Sequence, residues 1–518
     1  MSINQPLHPH HSPTSARQIA LGETGRIVVL ALFFLINAVV LSNAIQHDPL
    51  VGYDAPDHAA YILTLAEGRL PVLDDTVEFF SPPLPYILPA LAKYGAEARL
   101  DVTAVAKIVQ LQNWLISLAV TWLLIRTTQL ARPEDWSFSA AALVWLGILP
   151  VYYKTLAFVR GEPWVMLFAL LIVWDLLRLA LRDTAVPRKR DALRIGLWLG
   201  LAILSRQWAF LLFPAIGLFL LLLWRQNRGE ETADFANFAD FNSVGNQVRS
   251  RKSRSFPIKP MDKLFVWAGL IMLGTAVLIG GWFYGHLYRQ YGALTAFNRS
   301  PAAQLSLRNQ PPEFYLGTGD GQLFHDPIRP QFANQLWPKF YAELWGDHEA
   351  YFLVTGQDKR SGGWLPGWKL EKAPSRTPPP AWLQTNRWQM APYLGLVNRI
   401  ALLPTLFLVT AVIGNGRALH TIWRKQANPA DWLAALSLFI VLFSAGGYFW
   451  FLIQYPMPDK GDTIKATYLL HIFPFTAILA ANWMEQWRAR HPRLYRATWV
   501  MLLLTAVAAA PLWVTKYS

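Results

Sequence analysis

Two carboxylates and an imidazole fall close together in the stretch Tyr53-Asp54-Ala55-Pro56-Asp57-His58-Ala59-Ala60-Tyr61. Groups of this kind can take the proton from an acceptor hydroxyl as general bases. Pro56 fits the first turn of a helix, which puts Asp54 at or just before its N-cap. Ile62, Leu65 and Ala66 then give that helix an apolar face, so it is expected to lie on a membrane surface with Asp54, Asp57 and His58 at its start. The plainer reading is that Asp54 only caps the helix while Asp57 and His58 are solvated. Caps are far commoner than catalytic bases, and spacing alone leaves both readings open.

These residues need elements to hold them, and composition says in what medium. The chain is 53% hydrophobic and only 15% charged over its 518 residues. A soluble globular chain carries about 25% charge, so this one has too little polar surface to cover itself in water. Its apolar residues cluster into runs of membrane-spanning length. The runs are 27–45, 102–125, 137–156, 163–182, 193–204 with its flanks, 208–224, 264–285, 392–413, 432–453, 466–484 and 497–515. A net charge of +14 would suit nucleic acid, but the basic residues form short clusters between apolar runs, where they orient helices. No nucleic-acid partner is expected. Cysteine is absent, which excludes disulfides, thiolate zinc sites and a cysteine nucleophile. Neither Gly-x-Gly-x-x-Gly nor a Walker A loop occurs, so direct use of a nucleotide is unsupported.

Basic residues recur in alternate loops: Arg17 and Arg26, Arg126 and Arg132, Arg182 to Arg194, Arg249 to Lys263, Arg417 to Lys425, and Arg488 to Arg496. By the positive-inside rule these loops and the N-terminus are cytoplasmic. The parity holds only if the proline-marked run 82–95 does not cross, so a short helix in or against the outer leaflet is expected there. Run 27–41 is followed by Ser42-Asn43-Ala44, which loosely fits a signal-peptidase site, but the long polar segment before it favours an uncleaved first helix. The fold class expected is an all-α polytopic membrane protein with about eleven transmembrane helices, amphipathic juxtamembrane helices in the first outer loop and a small extracytoplasmic cap. Residues 1–26 form a cytoplasmic tail. Residues 27–285 form an N-terminal transmembrane module with first outer loop 46–101 and a mostly disordered cytoplasmic linker 225–262. An extracytoplasmic domain, 286–391, is expected as a loop-rich cap with a few short helices, and 392–518 as a C-terminal transmembrane module. No internal repeat is found, which speaks against an inverted-repeat transporter.

The order of a first helix, Tyr53-Asp54-x-Pro56-x-His58-x-x-Tyr61, Gly68-x-Leu70-Pro71, and Glu78 ahead of Pro82-Pro83-Leu84-x-Tyr86 resembles the opening of GT-C superfamily glycosyltransferases. More narrowly, it is similar to the protein mannosyltransferase-like and aminoarabinose transferase-like families. The resemblance implies a polytopic enzyme that moves a sugar from a polyprenyl-phosphate carrier to an acceptor outside the cytoplasm. It puts the base or acceptor-positioning role on Asp54, with Asp57 next. Where many relatives carry a second acidic residue, Ala55 follows Asp54, which leaves open whether Asp57 compensates. Glu78 matches an acidic position of many relatives. With His58 it would orient the acceptor or hold a divalent cation, the one cofactor the sequence leaves open; otherwise Glu78 is a solvated loop acid.

Basic residues mark the outer ends of later runs. Lys154 and Arg160 bracket a turn beside Glu162, Arg206 lies between two apolar runs, and Lys465, Tyr468 and His471 open another. Ionisable groups cost about 2.5–3.5 kcal/mol each near the bilayer centre and less at the interface, which makes them functional candidates where they face a cavity. A lipid-linked donor carries its phosphate at that depth, and the resemblance places phosphate-binding residues at Arg160, Arg206, Lys465 and Tyr468. Snorkelling to headgroups is the alternative, equally good for Lys154. Trp345-Gly346-Asp347-His348-Glu349-Ala350-Tyr351-Phe352 would line an acceptor pocket or close a structural cap. The function expected is inverting transfer of a hexosyl or pentosyl unit from a polyprenyl-phosphate-linked sugar to a lipid, glycan or protein acceptor, in a plasma (inner) membrane. The alternative is a transporter or flippase of a lipid-linked or anionic substrate.

Overall fold

The apolar run 27–45 forms the body of the first long helix, α1 (Ala16–Gln46). Two short helices follow, α2 (Ala55–Ala66) and α3 (Leu84–Ala96), before α4 (Val102–Ala131), whose N-cap Asp101 accepts the amide of Ala104 at 2.7 Å. The computed structural model describes residues 16–96, 99–182, 185–241, 260–297, 299–329, 331–353, 387–458 and 461–516. Among them no strand occurs. Helix α3 has 13 residues, about 20 Å at 1.5 Å per residue, so it does not cross a bilayer core of about 30 Å. It buries Tyr86, Pro89 and Ala90 and leaves Ile87, Leu88, Leu91 and Tyr94 outward.

The chain then passes back and forth. Helices α5 (Trp136–Gly147) and α6 (Pro150–Ala157) are bent by 65° from one another. Pro150 explains the break, because it has no amide hydrogen to continue the ladder. After α7 (Glu162–Ala180) and α8 (Lys189–Ile203) come α9 (Leu212–Phe241), α10 (Pro260–Ala276), a π-turn at Val277–Gly281 and α11 (Trp282–Tyr291). Short helices α12 (Pro312–Leu316) and α13 (Leu336–Trp345) precede α14 (Arg387–Gly414), α15 (Arg417–Trp423), α16 (Pro429–Gln454), α17 (Phe473–Arg490) and α18 (Pro492–Ala509). A capping box of Asn428 and Asp431, with Pro429 in the first turn, starts α16.

Among the described residues eight helices are long and apolar enough to cross a membrane, nine if the bent pair is one span. The protein is a multi-pass membrane protein. Two of the eleven expected runs fall outside that criterion. Helix α8 has 15 residues, about 22 Å, and opens on Lys189-Arg190-Asp191, while α17 has 18 residues and ends on charges. Large apolar side chains such as Leu278, Leu403, Leu406, Leu503 and Val507 point outward, as a lipid-facing surface requires. The first part of the segment 225–262, expected as a mostly disordered linker, is helical, since α9 continues through Phe241. Residues 242–259 lie outside the described residues, as do 354–386 of the expected outer domain.

Between the helices, small and polar residues set the contacts. A Cβ on Gly196 would meet the Met272 carbonyl at 2.6 Å, and one on Gly200 would meet Ile279 at 2.7 Å, so α8 lies close against α10 and the π-turn. Inside the bundle Asn37, Ser117, Thr121 and Tyr152 join α1, α4 and α6 through hydrogen bonds of 2.7–2.9 Å. At one end of the bundle the turn after α4 meets α17, with Arg132 donating to Asn482 and Arg488 pairing with Asp135. The described parts of 47–101, 292–353 and 455–465 and the turns at 158–161 and 204–206 gather at the other end.

Candidate active site

That second end encloses a cavity of about 270 Å³. Its wall holds four carboxylates, Asp54, Glu78, Glu349 and Asp462, and four cations, Arg206, Arg299, Arg329 and Lys465. Aromatic rings fill much of the remainder, among them Tyr53, Phe80, Trp208 and Tyr468.

Asp54 is the N-cap residue of α2, but it does not cap with its side chain. Its backbone is left-handed, φ 53° and ψ 23°, and its carbonyl accepts the amides of Asp57 and His58 at 3.0 Å. That turn leaves the carboxylate about one-third exposed, 3.5 Å from Lys465 Nζ. The helix-cap reading of Asp54 therefore does not describe its side chain. Asp57, on the first turn of α2, does not line the cavity; its carbonyl accepts the Thr76 hydroxyl at 2.8 Å. The structure thus separates the two acids that the sequence left paired.

Lys465 sits 4.5 Å from the ring centre of Tyr53 and 5.7 Å from that of Tyr468. Burial disfavours its ammonium, but Tyr468 and Asp54 outweigh that and hold its pKa above the ordinary value. Tyr53 in turn donates its hydroxyl to Glu343. Lys154 lies 2.6 Å from the same Glu343 carboxylate and donates to the Gly346 carbonyl at 3.1 Å. Lys154 is fully buried and binds α6 to α13, so it reaches neither headgroups nor the cavity.

Behind the cavity wall, Glu162 joins two guanidinium groups. Arg160 donates to it twice, at 3.0 and 2.9 Å, and Arg206 Nε lies 3.2 Å away. Arg160 lies over the rings of Tyr53 and Tyr468, at 5.5 and 5.3 Å, and its Nη1 has no hydrogen-bond partner although it is buried. Arg206 also reaches Glu78 at 3.1 Å, the Ser81 hydroxyl, and His58 Nε2 at 3.4 Å. His58 is wholly buried behind this cluster, with Nδ1 at 2.9 Å from the Tyr86 hydroxyl. Burial, against the opposing charge of Glu78 and with help from Arg206 and Arg160, lowers its pKa from 6.5 to about 4, so the ring is neutral at pH 7 and can accept from Arg206.

A divalent cation does not fit these residues. His58 does not line the cavity, Glu78 is already matched by Arg206, and Asp54 by Lys465. Among the described residues no group of three or more His, Asp or Glu could hold a metal ion. On the opposite wall Arg329 pairs with Glu349 and, at 3.2 Å, with Asp462. Asp347 accepts the amides of Phe352 and Leu353 at 2.8 and 2.7 Å and closes a turn, while Tyr351 and Glu349 face the cavity. Within the 345–352 motif, Asp347 thus serves a turn while its neighbours line the cavity. His471 bonds Ser444 at 2.9 Å within the bundle.

Tyr53, Glu343, Arg329 and Arg299 carry no role that the sequence alone assigns. Glu162, two residues from Arg160, stands out there only as a neighbour. A carboxylate so close to an arginine at a helix start is the signal that could have found it; Arg329, in an irregular loop, has none.

No protein-family model and no curated protein sequence matches the chain. Among solved structures it is similar to the oligosaccharyltransferase of Archaeoglobus fulgidus, with a TM-score of 0.41 and 13% identity, over 95% of this chain and 56% of that one. The chain therefore spans little more than half of that relative's length. It is also similar to ArnT of Cupriavidus metallidurans, with a TM-score of 0.33 and 13% identity, over 87% of this chain and 76% of that one.

Proposed function

We propose that the protein is a membrane glycosyltransferase that moves a monosaccharide from a polyprenyl-phosphate donor to a lipid, glycan or protein acceptor outside the cytoplasm. The reading rests on one observation: an accessible carboxylate, Asp54, lies 3.5 Å from the buried Lys465 inside a cavity whose inner wall carries Arg206. In the step proposed, an acceptor hydroxyl gives its proton to Asp54 while its oxygen bonds to the anomeric carbon. The bond from that carbon to the phosphate oxygen breaks, and polyprenyl phosphate leaves with the electron pair and one more negative charge. Attack opposite the leaving group inverts the anomeric centre. As Asp54 is neutralised, Lys465 loses its anionic partner just as the phosphate gains charge, so the ammonium can follow the charge across the cavity. Preorganised cations aimed at developing charge commonly contribute more to such steps than any other effect.

In this reading Arg206 is held by Glu78, Ser81, His58 and Glu162, and offers the phosphate a fixed positive wall rather than a mobile clamp. Arg160, gripped by Glu162, keeps only Nη1 uncommitted. Tyr468, over which both Arg160 and Lys465 lie, completes that side. The aromatic rings suit stacking on a sugar.

The test is transfer by purified protein reconstituted with radiolabelled polyprenyl-phosphate sugars and a membrane-extract acceptor pool. Removing a general base typically costs about 10²–10⁴-fold, so Asp54→Asn should lose at least about 100-fold while Asp57→Asn stays within a few-fold of wild type. Full activity in Asp54→Asn would overturn the base assignment. A wild type that transfers nothing, yet moves a labelled lipid-linked substrate across proteoliposomes, would establish a flippase instead.

A further inference from the structure

A second pocket of about 210 Å³ lies at the other end of the bundle, between α9 and the short helix α15. Helix α9 starts a few residues beyond Arg206, at the cavity, and reaches Arg225 about 20 Å further along its axis. Helix α16 likewise begins beside this second pocket and ends at Gln454, next to cavity residue Tyr455. The pocket is lined by Leu222, Arg225, Gln226, Ile422, Trp423 and Lys425.

Three observations set this pocket apart from an ordinary basic helix end. Among the described residues its lining brings two cations together and contains no carboxylate, whereas Arg228 nearby is paired with Asp262 at 3.3 Å. The Arg225 guanidinium lies over the Trp423 indole, 3.1 Å from the ring centre, a cation–π contact at the pocket wall. Lys425 has a left-handed backbone, φ 58°, at the position after a helix end where glycine is usual. The turn is closed by Lys425 N–H to Ile422 and Gln426 N–H to Thr421, both at 3.0 Å. A lysine there strains the backbone, and the turn places it on the pocket that Arg225 also lines.

We propose that this pocket binds the phosphate of an anionic phospholipid headgroup from the surrounding membrane. Trp423 is 57% exposed, as for an indole at the bilayer boundary, and the apolar sides of Leu222 and Ile422 continue toward the spans. Two cations suit one phosphate, with Arg225 giving paired N–H donors and Lys425 a point charge. The site is separate from the cavity at the other end and does not depend on the reaction carried out there.

Native mass spectrometry of the full chain in detergent, titrated with phosphatidylglycerol or phosphatidylcholine, tests the proposal. Each basic residue near a membrane surface contributes roughly five-fold to anionic-lipid affinity, so Arg225→Gln should weaken phosphatidylglycerol retention by about that factor. Lys425→Gly is the sharper variant. It removes a charge while relieving the left-handed backbone, so it should raise the melting temperature in lipid-free detergent and still lose lipid by a similar factor. A merely structural lysine would leave lipid retention unchanged. Equal retention of phosphatidylcholine, or unchanged retention in both variants, overturns the proposal. Displacement of the lipid by millimolar inorganic phosphate would overturn the lipid source in favour of free phosphate.

Discussion

His58 illustrates how a buried neutral group makes the site sensitive to acid. Its pKa in the fold is about 4 against 6.5 ordinarily, because burial disfavours the imidazolium. As pH falls below 6.5 the unfolded chain takes up a proton that the folded chain refuses. Stability is therefore full above about pH 6.5 and declines as pH falls toward 4, by an amount on the order of 3 kcal/mol over the whole window. His348, also buried and lowered to about 4, acts in the same direction. His58→Gln should flatten the fall of melting temperature between pH 6.5 and 5 without removing it, as followed by thermal denaturation in detergent at a series of pH values. An equally steep fall in the variant would mean that His58 is not buried neutral. The same residue shows what sequence can and cannot convey. His58 sits where a histidine beside two acids invites a catalytic role, but its ring turns to Tyr86 and Arg206, behind the cavity. Which face of α2 is buried depends on Tyr86 and Arg206, 28 and 148 residues away, and no local pattern states that.

At the scale of elements, the close approach of α8 to α10 and the π-turn depends on absent side chains. Gly200→Val would drive its side chain into Ile279, and overpacking of this kind costs about 1–3 kcal/mol. The expected outcome is a lower melting temperature in detergent, with Gly200→Ala intermediate; an unchanged melting temperature in Gly200→Val would mean that the helices are not in contact there. The spacing Gly196-x-x-x-Gly200 is legible in the sequence as a small-residue face, whereas its partner at Gly280 is legible only in three dimensions. Long apolar runs are legible too, because a bilayer imposes length and composition that a single segment must satisfy alone. The non-crossing α3 is marked by its prolines. Helix α9 beyond residue 225 escapes a reading by composition, although Phe235, Phe238 and Phe241 recur at a near-helical interval. The ties from Lys154 to Glu343 and from Tyr53 to the same acid are invisible in the sequence because they join segments that composition treats separately.

For the molecule as a whole, the two ends of the bundle make opposite demands on topology, and the chain supplies a clean way to measure it. It contains no cysteine, so a single introduced thiol reports without background. Ser300, exposed beside the cavity end, and Gln426, exposed beside the second pocket, are suitable sites. If the cavity faces outward, Ser300→Cys is labelled in intact cells by an impermeant maleimide and Gln426→Cys only after the membrane is opened. The reverse pattern would put the cavity in the cytoplasm and remove the proposed extracytoplasmic reaction. Beyond orientation, the pairing of Asp54 with Lys465 spans 411 residues of chain. At a synthesis rate of about 5–20 residues per second, the two groups are made roughly 20–80 s apart. Through that interval the first helices are already in the membrane, among whatever lipid-linked sugars it holds, with the proposed base in place and its cation not yet made. If the two groups act together as proposed, the ribosome times the onset of chemistry: a chain stalled before residue 465 holds the base without its cation and transfers no sugar.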